Sequence, residues 1–161
     1  MNAIVAVYSD WGIGCCGTQP VVVPEDRKHF RDVTGTGTVI VGRRTLGDFP
    51  EGKPLKNRRN IVISTQNIEI EGAEIAHSPG EAAKIAGDDA FVIGGGSIYN
   101  EMIDYCDKVF VTKIDAQPES DTFFPNLDEN PEWICEDEGE EKNYNGLKYR
   151  FAVYRRKRSA A

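Results

Sequence analysis

The chain has few of the residues that metal centres use. Its 161 residues include only two histidines and four cysteines. Cys15 and Cys16 are adjacent, and the other two cysteines stand far from them and from each other. None of the four shows the spacing to a second cysteine or to a histidine that typically holds a metal ion. We therefore expect no bound metal, and reduced thiols of the kind found in cytosolic proteins.

The chain also lacks a long apolar run. No stretch approaches the ~20 apolar residues that a membrane-spanning helix needs. The first residues, MNAIVAVYSDWG, carry no basic segment of the kind that opens a secretory signal, so they are expected to form a strand. These features predict a cytoplasmic protein that does not bind a membrane.

Positive charge is the third scarcity, with 19 basic against 26 acidic residues and a formal net charge of −7. Such an excess of acid argues against nucleic-acid binding. Between Arg43 and Arg59, however, six basic residues stand against two acidic ones. A basic island on an acidic protein favours a small anionic ligand over a long polyanion. For any single arginine, a solvated loop is the simpler interpretation.

Apolar segments of strand length alternate with helix-like segments, which indicates an α/β fold. We expect a central, mostly parallel sheet with helices on both faces, because its strands are apolar almost throughout. A loop over Ser9–Val23 is predicted to separate the first strand, Asn2–Tyr8, from a first helix over Pro24–Thr34. The other predicted strands in this sheet are Thr38–Gly42, Arg59–Ser64, Gly72–His77, Ala90–Gly96 and Lys108–Ile114.

The end of the chain has a different pattern. Two late segments, Trp133–Asp137 and Lys148–Lys157, alternate in polarity and are predicted to be antiparallel edge strands. We expect them to form an antiparallel C-terminal hairpin. No repeat, linker or composition break interrupts the chain, which predicts a single domain over residues 1–158 and a tail over 159–161.

The segment QPVVVPEDRKHF places an acid on the apolar side of the first helix. Pro24 suits the first helical position. Helical spacing puts Asp26 on one face with Phe30 and Val33, which we expect to pack inward. An acid in the first turn stabilises the helix dipole by about 0.3–1 kcal/mol, but an outward acid such as Glu25 does so equally. Position alone favours the dipole interpretation, and the alternative is a carboxylate that points into a binding site.

Three glycines end one predicted strand. In FVIGGGSIY the strand runs into Gly94–Gly96, and a helix begins near Ser97. Backbone N–H groups at a helix start bind phosphate, and missing side chains allow a ligand to approach closely. The dinucleotide fingerprint would need a further glycine where Tyr99 stands. A tight turn would need only one or two glycines, so the third favours a ligand or an unusual backbone geometry.

Two other strands end in polar side chains suited to phosphate. VGRRTL places Arg43 and Arg44 at a helix start, where cations oppose the helix dipole. ISTQ ends the next strand with the hydroxyls of Ser64 and Thr65. Because ligands bind at the carboxyl ends of parallel strands, the three strand ends together predict a nucleotide with several phosphates.

Taken together, these segments resemble dihydrofolate reductase over nearly the whole chain. IVAVYSDWGIG resembles the first strand and glycine loop of that family, and PVVVPEDRKHF resembles its P-x-x-x-P-x-D-x-x-x-F segment. VIVGRRT, PLKNRRNIVIST, FVIGGGSIY and VTKIDAQPESDTFFP follow in family order. The resemblance implies reduction of 7,8-dihydrofolate to 5,6,7,8-tetrahydrofolate, with hydride transfer from NADPH to C6 and protonation at N5. It also implies a monomer that binds antifolates.

The resemblance assigns roles to particular residues. Asp26, which binds the pterin ring, and Thr112, which hydrogen-bonds that carboxylate, are the implied catalytic residues. The other implied substrate-binding residues are Ile4, Ala6, Phe30, Phe49, Leu55 and Arg58, the last of which takes the carboxylate of the glutamate tail. The implied cofactor-binding residues are Ala6, Ile13, Gly14, Gly42, Arg43, Arg44, Thr45, Ser64, Thr65, Ile93, Gly94, Gly95, Gly96, Ser97, Ile98 and Tyr99.

The family pattern carries one expectation about the backbone, a cis peptide bond between Gly94 and Gly95. This chain departs from the pattern at three positions, with Val21 where tryptophan is usual and with Gln19 and Arg27 where apolar residues are common. Two alternatives remain. One is another pterin or pyrimidine reductase on the same fold, against which Asp26, Thr112 and the DTFFP segment speak. The other is a pterin- or nucleotide-binding protein with weak turnover.

Overall fold

A computed structural model describes residues 1–15 and 19–157. Its helices are α1 (Pro24–Thr34), α2 (Arg43–Leu46), α3 (Pro79–Ala86) and α4 (Gly96–Met102), with short 3₁₀ turns at Pro50–Gly52 and Ile103–Tyr105. Its strands are β1 (Asn2–Val7), β2 (Gly12–Gly14), β3 (Val39–Gly42), β4 (Asn60–Ile63), β5 (Ala73–Ala76), β6 (Phe91–Gly94), β7 (Lys108–Ile114), β8 (Thr122–Phe123), β9 (Trp133–Glu138), β10 (Lys142–Tyr144) and β11 (Leu147–Arg156).

The chain divides into two compact units. The first comprises Met1–Ala3 and Arg31–Cys106, and the second comprises Ile4–Phe30 and the chain from Asp107 onward. The single domain expected over residues 1–158 stays a prediction. Its predicted tail, 159–161, lies outside the described residues.

The first unit contains a parallel sheet with the strand order β1–β6–β3–β4–β5, in which every neighbouring pair is parallel. Ile40 and Val41 of β3 and Ile61 and Val62 of β4 are fully buried. Strands that are covered on both sides read as continuous apolar runs, which is the pattern the sequence showed. The prediction of a mostly parallel sheet is confirmed.

In the second unit, the strands that pair with β11 all run antiparallel to it. β11 pairs with β7 on one side and with both β10 and β9 on the other. The predicted antiparallel pairing of Trp133–Asp137 with Lys148–Lys157 is therefore confirmed as β9–β11, and β10, which the sequence did not predict, pairs with β11 as well. The prediction that Lys148–Lys157 forms an edge strand was wrong, because β9 and β10 cover the outer side of β11. An alternating pattern shows which face of a strand is buried, but not whether its hydrogen-bonding edges are paired.

The predicted loop over Ser9–Val23 also needs correction, because it contains a strand. β2 pairs antiparallel with β8 as a separate two-stranded sheet, in which Gly12 lies opposite Phe123. Glycine is a poor strand former, and the partner strand is more than a hundred residues away. Local sequence therefore gave no signal for this pairing. Residues 16–18 of the same stretch lie outside the described residues.

Helix α1 has the bounds and the orientation that the sequence predicted. It begins at Pro24, and Asp26, Phe30 and Val33 are partly buried while their helix neighbours Arg27 and Lys28 are exposed. The acid therefore lies on the packed side of the helix. Within the described residues, no helix is long and apolar enough to cross a bilayer.

A buried asparagine holds the segment that precedes β4. Asn60 is 2% exposed, and its side-chain amide donates to the carbonyl oxygens of Leu55 (2.9 Å) and Arg58 (3.0 Å). Its Oδ1 accepts from the Leu55 N–H at 3.0 Å. One side chain thus fixes the backbone of two residues that the family pattern assigns to substrate binding.

Replacing that side chain should loosen the segment. Asn60→Ala leaves three backbone groups without partners, which should lower the free energy of unfolding by about 1–3 kcal/mol. Chemical denaturation measures the loss. Asn67→Ala, at an exposed asparagine beyond β4, is the control and should match the parent. Equal stability of Asn60→Ala and the parent would contradict the anchoring role.

Candidate active site

In the second unit, the carboxylate of Asp26 meets a buried hydroxyl. Thr112, on β7, is 1% exposed and donates a hydrogen bond to Asp26 Oδ1 at 2.5 Å. Burial raises the pKa of the Asp26 carboxyl, and the Thr112 hydrogen bond and the charge of His29 oppose that rise. A carboxylate can accept about four hydrogen bonds, so Thr112 leaves room for donors from a ligand. The structure brings the two predicted catalytic residues together.

Sequence reasoning missed two aromatic contacts beside this carboxylate. His29 stacks on Phe151 of β11, with ring centroids 3.9 Å apart and planes 17° apart. Tyr149, two residues earlier on β11, donates a hydrogen bond to the carboxylate of Glu25. The spacing of His29 three residues after Asp26 was a signal for their proximity on the helix. The partners on β11 carried no signal, because they are more than 120 residues away.

Val21 packs against a buried cluster that includes Tyr8, Val23 and Ile114. The Tyr8 hydroxyl donates to the Val21 carbonyl oxygen at 2.8 Å and accepts from the Val21 N–H at 3.1 Å. Tyr8 therefore fixes the backbone where the family usually carries tryptophan. The Val21 side chain, which is smaller than tryptophan, is therefore packed within the protein. Ala6 of β1 packs against the same cluster.

The remaining substrate residues fall into both units. Ile4 lies buried on β1, and Phe30 lies partly buried on α1. In the first unit, Phe49 packs against the cluster of Val41, Leu46 and Val62. These positions are compatible with pocket walls, and their contacts with a substrate stay a prediction.

Arg58 is held by a contact that the sequence did not predict. Its Nε and Nη2 donate to the hydroxyl of Thr34 at 3.3 and 3.2 Å, and its Nη1 donates to the carbonyl oxygen of Lys56 at 3.1 Å. Thr34 is 2% exposed, so it is a fixed anchor. The neighbouring Arg59 forms a two-point ion pair with Glu74 instead. Arg59 is therefore engaged by a carboxylate of the protein, whereas these three contacts of Arg58 are with neutral oxygens.

In the first unit, close backbone approach explains the glycines at two strand ends. The Gly94–Gly95 peptide bond is cis, as predicted. A Cβ on Gly95 would lie 2.5 Å from Thr45 Oγ1, and a Cβ on Gly42 would lie 2.9 Å from Ile98 Cγ1. Both distances are shorter than real Cβ contacts. A side chain at either position would displace Thr45 or Ile98, so the ends of β3 and β6 pack closely against the helices that follow them.

The helices that begin at these strand ends have no side-chain caps. α2 and α4 are capped by Gly42 and Gly95, neither of which supplies a side-chain hydrogen bond to the first turn. Arg43 and Arg44 are exposed in the first turn of α2, where their charges oppose the helix dipole. An anion would relieve this unfavourable placement, so the donor set fits the phosphates of a nicotinamide dinucleotide. Of the other predicted cofactor residues of this unit, Ile93 lies on β6, and Gly96, Ser97 and Tyr99 lie on α4.

The hydroxyls of Ser64 and Thr65 follow β4 directly. His77 follows the neighbouring strand β5, and its Nδ1 lies 3.0 Å from the Ser64 carbonyl oxygen. A carbonyl oxygen only accepts, so a hydrogen bond here requires the ring proton to be on Nδ1. Sequence reasoning missed His77, although the register of β4 and β5 carried a signal. Ile63 lies opposite Ala76 in this parallel pair, so the next residues on the two strands are neighbours.

Two further features bear on the prediction. Ile13 and Gly14 lie on β2, and residues 16–18, shortly after them, lie outside the described part of the chain.

A cavity of about 260 Å³ in the second unit is lined by none of the predicted site residues, and its walls mix Lys113 and Arg150 with Asp128 and Glu138. A lining of both signs indicates no particular ligand charge, and we assign the cavity no role.

Comparison with known proteins gives one consistent result. A family model described as dihydrofolate reductase matches residues 1–156. The dihydrofolate reductase of Bacillus subtilis (strain 168) is 32% identical over 164 residues, which covers 99% of this chain and 96% of that protein. That of Mycobacterium tuberculosis (strain H37Rv) is 36% identical over 149 residues, covering 89% and 90%. That of Staphylococcus aureus (strain COL) is 35% identical over 114 residues, covering 70% of each.

These matches place the chain among the oxidoreductases that use a nicotinamide cofactor. It belongs to the dihydrofolate reductase family. The matches favour this family over the pyrimidine reductase that the sequence left as an alternative.

The buried acid predicts a stability cost. Because burial raises the folded-state pKa of Asp26, the ionised carboxylate lowers stability at pH values above that pKa. The cost is absent below the ordinary aspartate pKa, where the carboxyl is protonated in both the folded and the unfolded chain. Asp26→Asn should therefore be at least as stable as the parent at neutral pH, and the difference should shrink as the pH falls. Denaturation at neutral pH and at a pH below the ordinary aspartate pKa tests this expectation. A variant less stable than the parent at neutral pH would contradict it.

Proposed function

We propose that this chain reduces 7,8-dihydrofolate to 5,6,7,8-tetrahydrofolate with NADPH, and that Asp26 and Thr112 are its catalytic residues. The single observation that carries the proposal is the hydrogen bond of 2.5 Å from the buried Thr112 to the partly buried Asp26. A carboxylate that served only the helix dipole would not need a buried partner. The family match supports the same reaction.

Asp26 is proposed to bind the pterin edge. A neutral pterin presents two adjacent N–H donors, which suit the two oxygens of a carboxylate. These donors favour the ionised form and so oppose the effect of burial on the Asp26 pKa. As the ring gains a proton at N5, the attraction to the fixed carboxylate grows, and this growth stabilises the transition state more than the ground state. Thr112 holds the carboxylate in place.

The glutamate tail is proposed to bind in the first unit. Arg58 would take the tail carboxylate, and its guanidinium is already oriented by Thr34. Phe49 and Leu55 would contact the benzoyl ring, while Asn60 fixes the backbone of Leu55. Phe30, Ile4 and Ala6 would contact the pterin.

NADPH is proposed as the cofactor, and when bound it supplies the hydride that reaches C6. The strand ends at Gly42 and Gly94–Gly96 would hold its pyrophosphate, because the starts of α2 and α4 have no side-chain cap and leave backbone N–H groups for it. Arg43, Arg44, Ser64 and Thr65 would bind the extra phosphate that distinguishes NADPH from NADH. Thr45, Ile98, Tyr99 and the β2 residues Ile13 and Gly14 complete the proposed cofactor site.

Two further parts of the proposal, the binding of antifolates and function as a monomer, rest on the family resemblance alone. A third part, a cytoplasmic location, rests on the sequence features described above. The remaining alternative, a binding protein with weak turnover, is separated from the proposal by whether NADPH absorbance falls when dihydrofolate is added.

Cofactor choice should depend on the first turn of α2. Changing both Arg43 and Arg44 to alanine removes two charges from the proposed phosphate site and should weaken NADPH binding with little effect on NADH. Charged hydrogen bonds are typically worth about 1.5–3 kcal/mol each, so we expect at least a ~10-fold fall in the ratio of kcat/KM for NADPH to that for NADH. The double change of Lys53 and Lys56 to alanine removes the same charge from exposed positions of the basic island and is the control. An unchanged ratio in the arginine variant would rule out the assignment.

Turnover should depend on the charge of Asp26. Asparagine is nearly isosteric, so Asp26→Asn should keep NADPH affinity while steady-state turnover of dihydrofolate falls. The loss of one preorganised group of this kind typically costs ~2.7–4 kcal/mol, or roughly 10²–10³ in rate. Asp88→Asn, at an exposed acid before β6, is the matched control. The assignment fails if Asp26→Asn turns over as fast as the parent.

A further inference from the structure

Three contacts join the first turns of α1 to two strands of the second unit. They pair Glu25 with Tyr149, Asp26 with Thr112, and His29 with Phe151. The proposed function uses only the middle contact. The other two flank it on the same helix, and both of their strand partners belong to β11.

The strand register explains why these partners occur together. Phe151 lies opposite Thr112 in the antiparallel β7–β11 pair, and Tyr149 lies opposite Ile114. Residues directly opposite share a face of the sheet, and so do residues two apart on one strand. Thr112, Tyr149 and Phe151 therefore all project toward the face on which α1 packs. The contacts form one continuous attachment of the helix.

The contact between Tyr149 and Glu25 is the more directional of the two flanking contacts. Tyr149 is 4% exposed, and its hydroxyl donates to the Glu25 carboxylate. Burial, together with the adjacent Glu25 carboxylate, raises the pKa of Tyr149 to about 12. The same hydrogen bond lowers the pKa of Glu25. At neutral pH the hydroxyl is therefore protonated and the carboxylate is ionised, which makes this a charge-assisted hydrogen bond from a buried, rigid donor.

Glu25 has a second neighbour that provides a contrast. Lys142 Nζ lies 3.6 Å from Glu25 Oε1, but both side chains are more than 40% exposed. Exposed ion pairs of this kind hold their partners weakly, because both side chains are flexible and the charges are screened. The rigid tyrosine, and not the lysine, is thus the group able to fix the helix start.

We infer that Tyr149 is a positioning residue for the reaction, because through Glu25 it fixes the first turn of α1 and so sets the Asp26 carboxylate against Thr112. The inference rests on the proposed role of Asp26. Asp26 follows Glu25 directly, so a shift of the Glu25 backbone moves the next residue with it. Tyr149 touches neither substrate nor cofactor in this account.

The test follows the ionisation of Asp26 and the hydride step together. Tyr149→Phe removes one hydroxyl, and the looser helix start should weaken the Thr112 hydrogen bond that favours the ionised carboxylate. The pKa of Asp26, followed by carbon-13 NMR of its carboxyl, should rise by about 0.5 or more. The single-turnover hydride rate at neutral pH should fall about tenfold, below the ~10²-fold cost of a 1 Å misplacement. NADPH affinity should not change, and Lys142→Ala should match the parent in every measurement.

A second pair of variants asks whether Tyr149 acts through Glu25. In a Glu25→Ala background, Tyr149→Phe should have no further effect on the Asp26 titration or the hydride rate. Glu25 is exposed, so its variant also tests the contact if Tyr149→Phe does not fold. Parent-like titration and rate in Tyr149→Phe, or an equal effect in both backgrounds, would overturn the inference.

The Asp26→Asn variant, measured alongside, keeps this inference distinct from the proposed function. If Asp26→Asn loses hydride transfer while Tyr149→Phe does not, the positioning role fails and the proposed function stands. If Asp26→Asn keeps the parent rate, the proposed function fails, and with it the positioning role.

Discussion

The hydrogen bond from Thr112 to Asp26 is the contact on which the proposed chemistry depends. A carboxylate that binds a pterin must be shielded from water, yet shielding favours its neutral form, and the raised pKa of Asp26 shows that effect. Thr112 supplies a buried donor at 2.5 Å that favours the ionised form. The placement of α1 makes this contact possible, because an acid in its first turn lies on the packed face of the helix.

The first unit contains the proposed phosphate site of the cofactor. Its parallel strands end at one edge, where we propose that the phosphates of the cofactor bind. Glycines at 42 and 95 allow the two strand ends to pack closely, since a Cβ at Gly42 would collide with Ile98 and one at Gly95 would collide with Thr45. Arg43 and Arg44 supply the charge at a position that is poor for helix stability. A residue that lowers the stability of its own helix is typical of a functional site.

The sequence predicted the elements whose signals are local. The parallel strands could be predicted because they are apolar throughout, and α1 because Pro24 and helical spacing define its start and its buried face. The β2–β8 pair and the Tyr149–Glu25 contact could not be predicted, because each depends on a partner more than a hundred residues away. The internal position of β11 could not be predicted, because an alternating pattern does not show whether the hydrogen-bonding edges of a strand are paired. His77 lies between these cases, since its place beside Ser64 follows from the β4–β5 register once that pairing is known.

The central claim is that the charge of Asp26 assists protonation at N5 during hydride transfer. The most direct measurement is the single-turnover hydride rate of the parent and of Asp26→Asn as a function of pH. The account predicts a large deficit in the variant at neutral pH that shrinks as the pH falls, because solvent then supplies substrate that is already protonated. A deficit of the same size at every pH would show that Asp26 acts through packing alone, and no deficit at any pH would show that it serves only the helix.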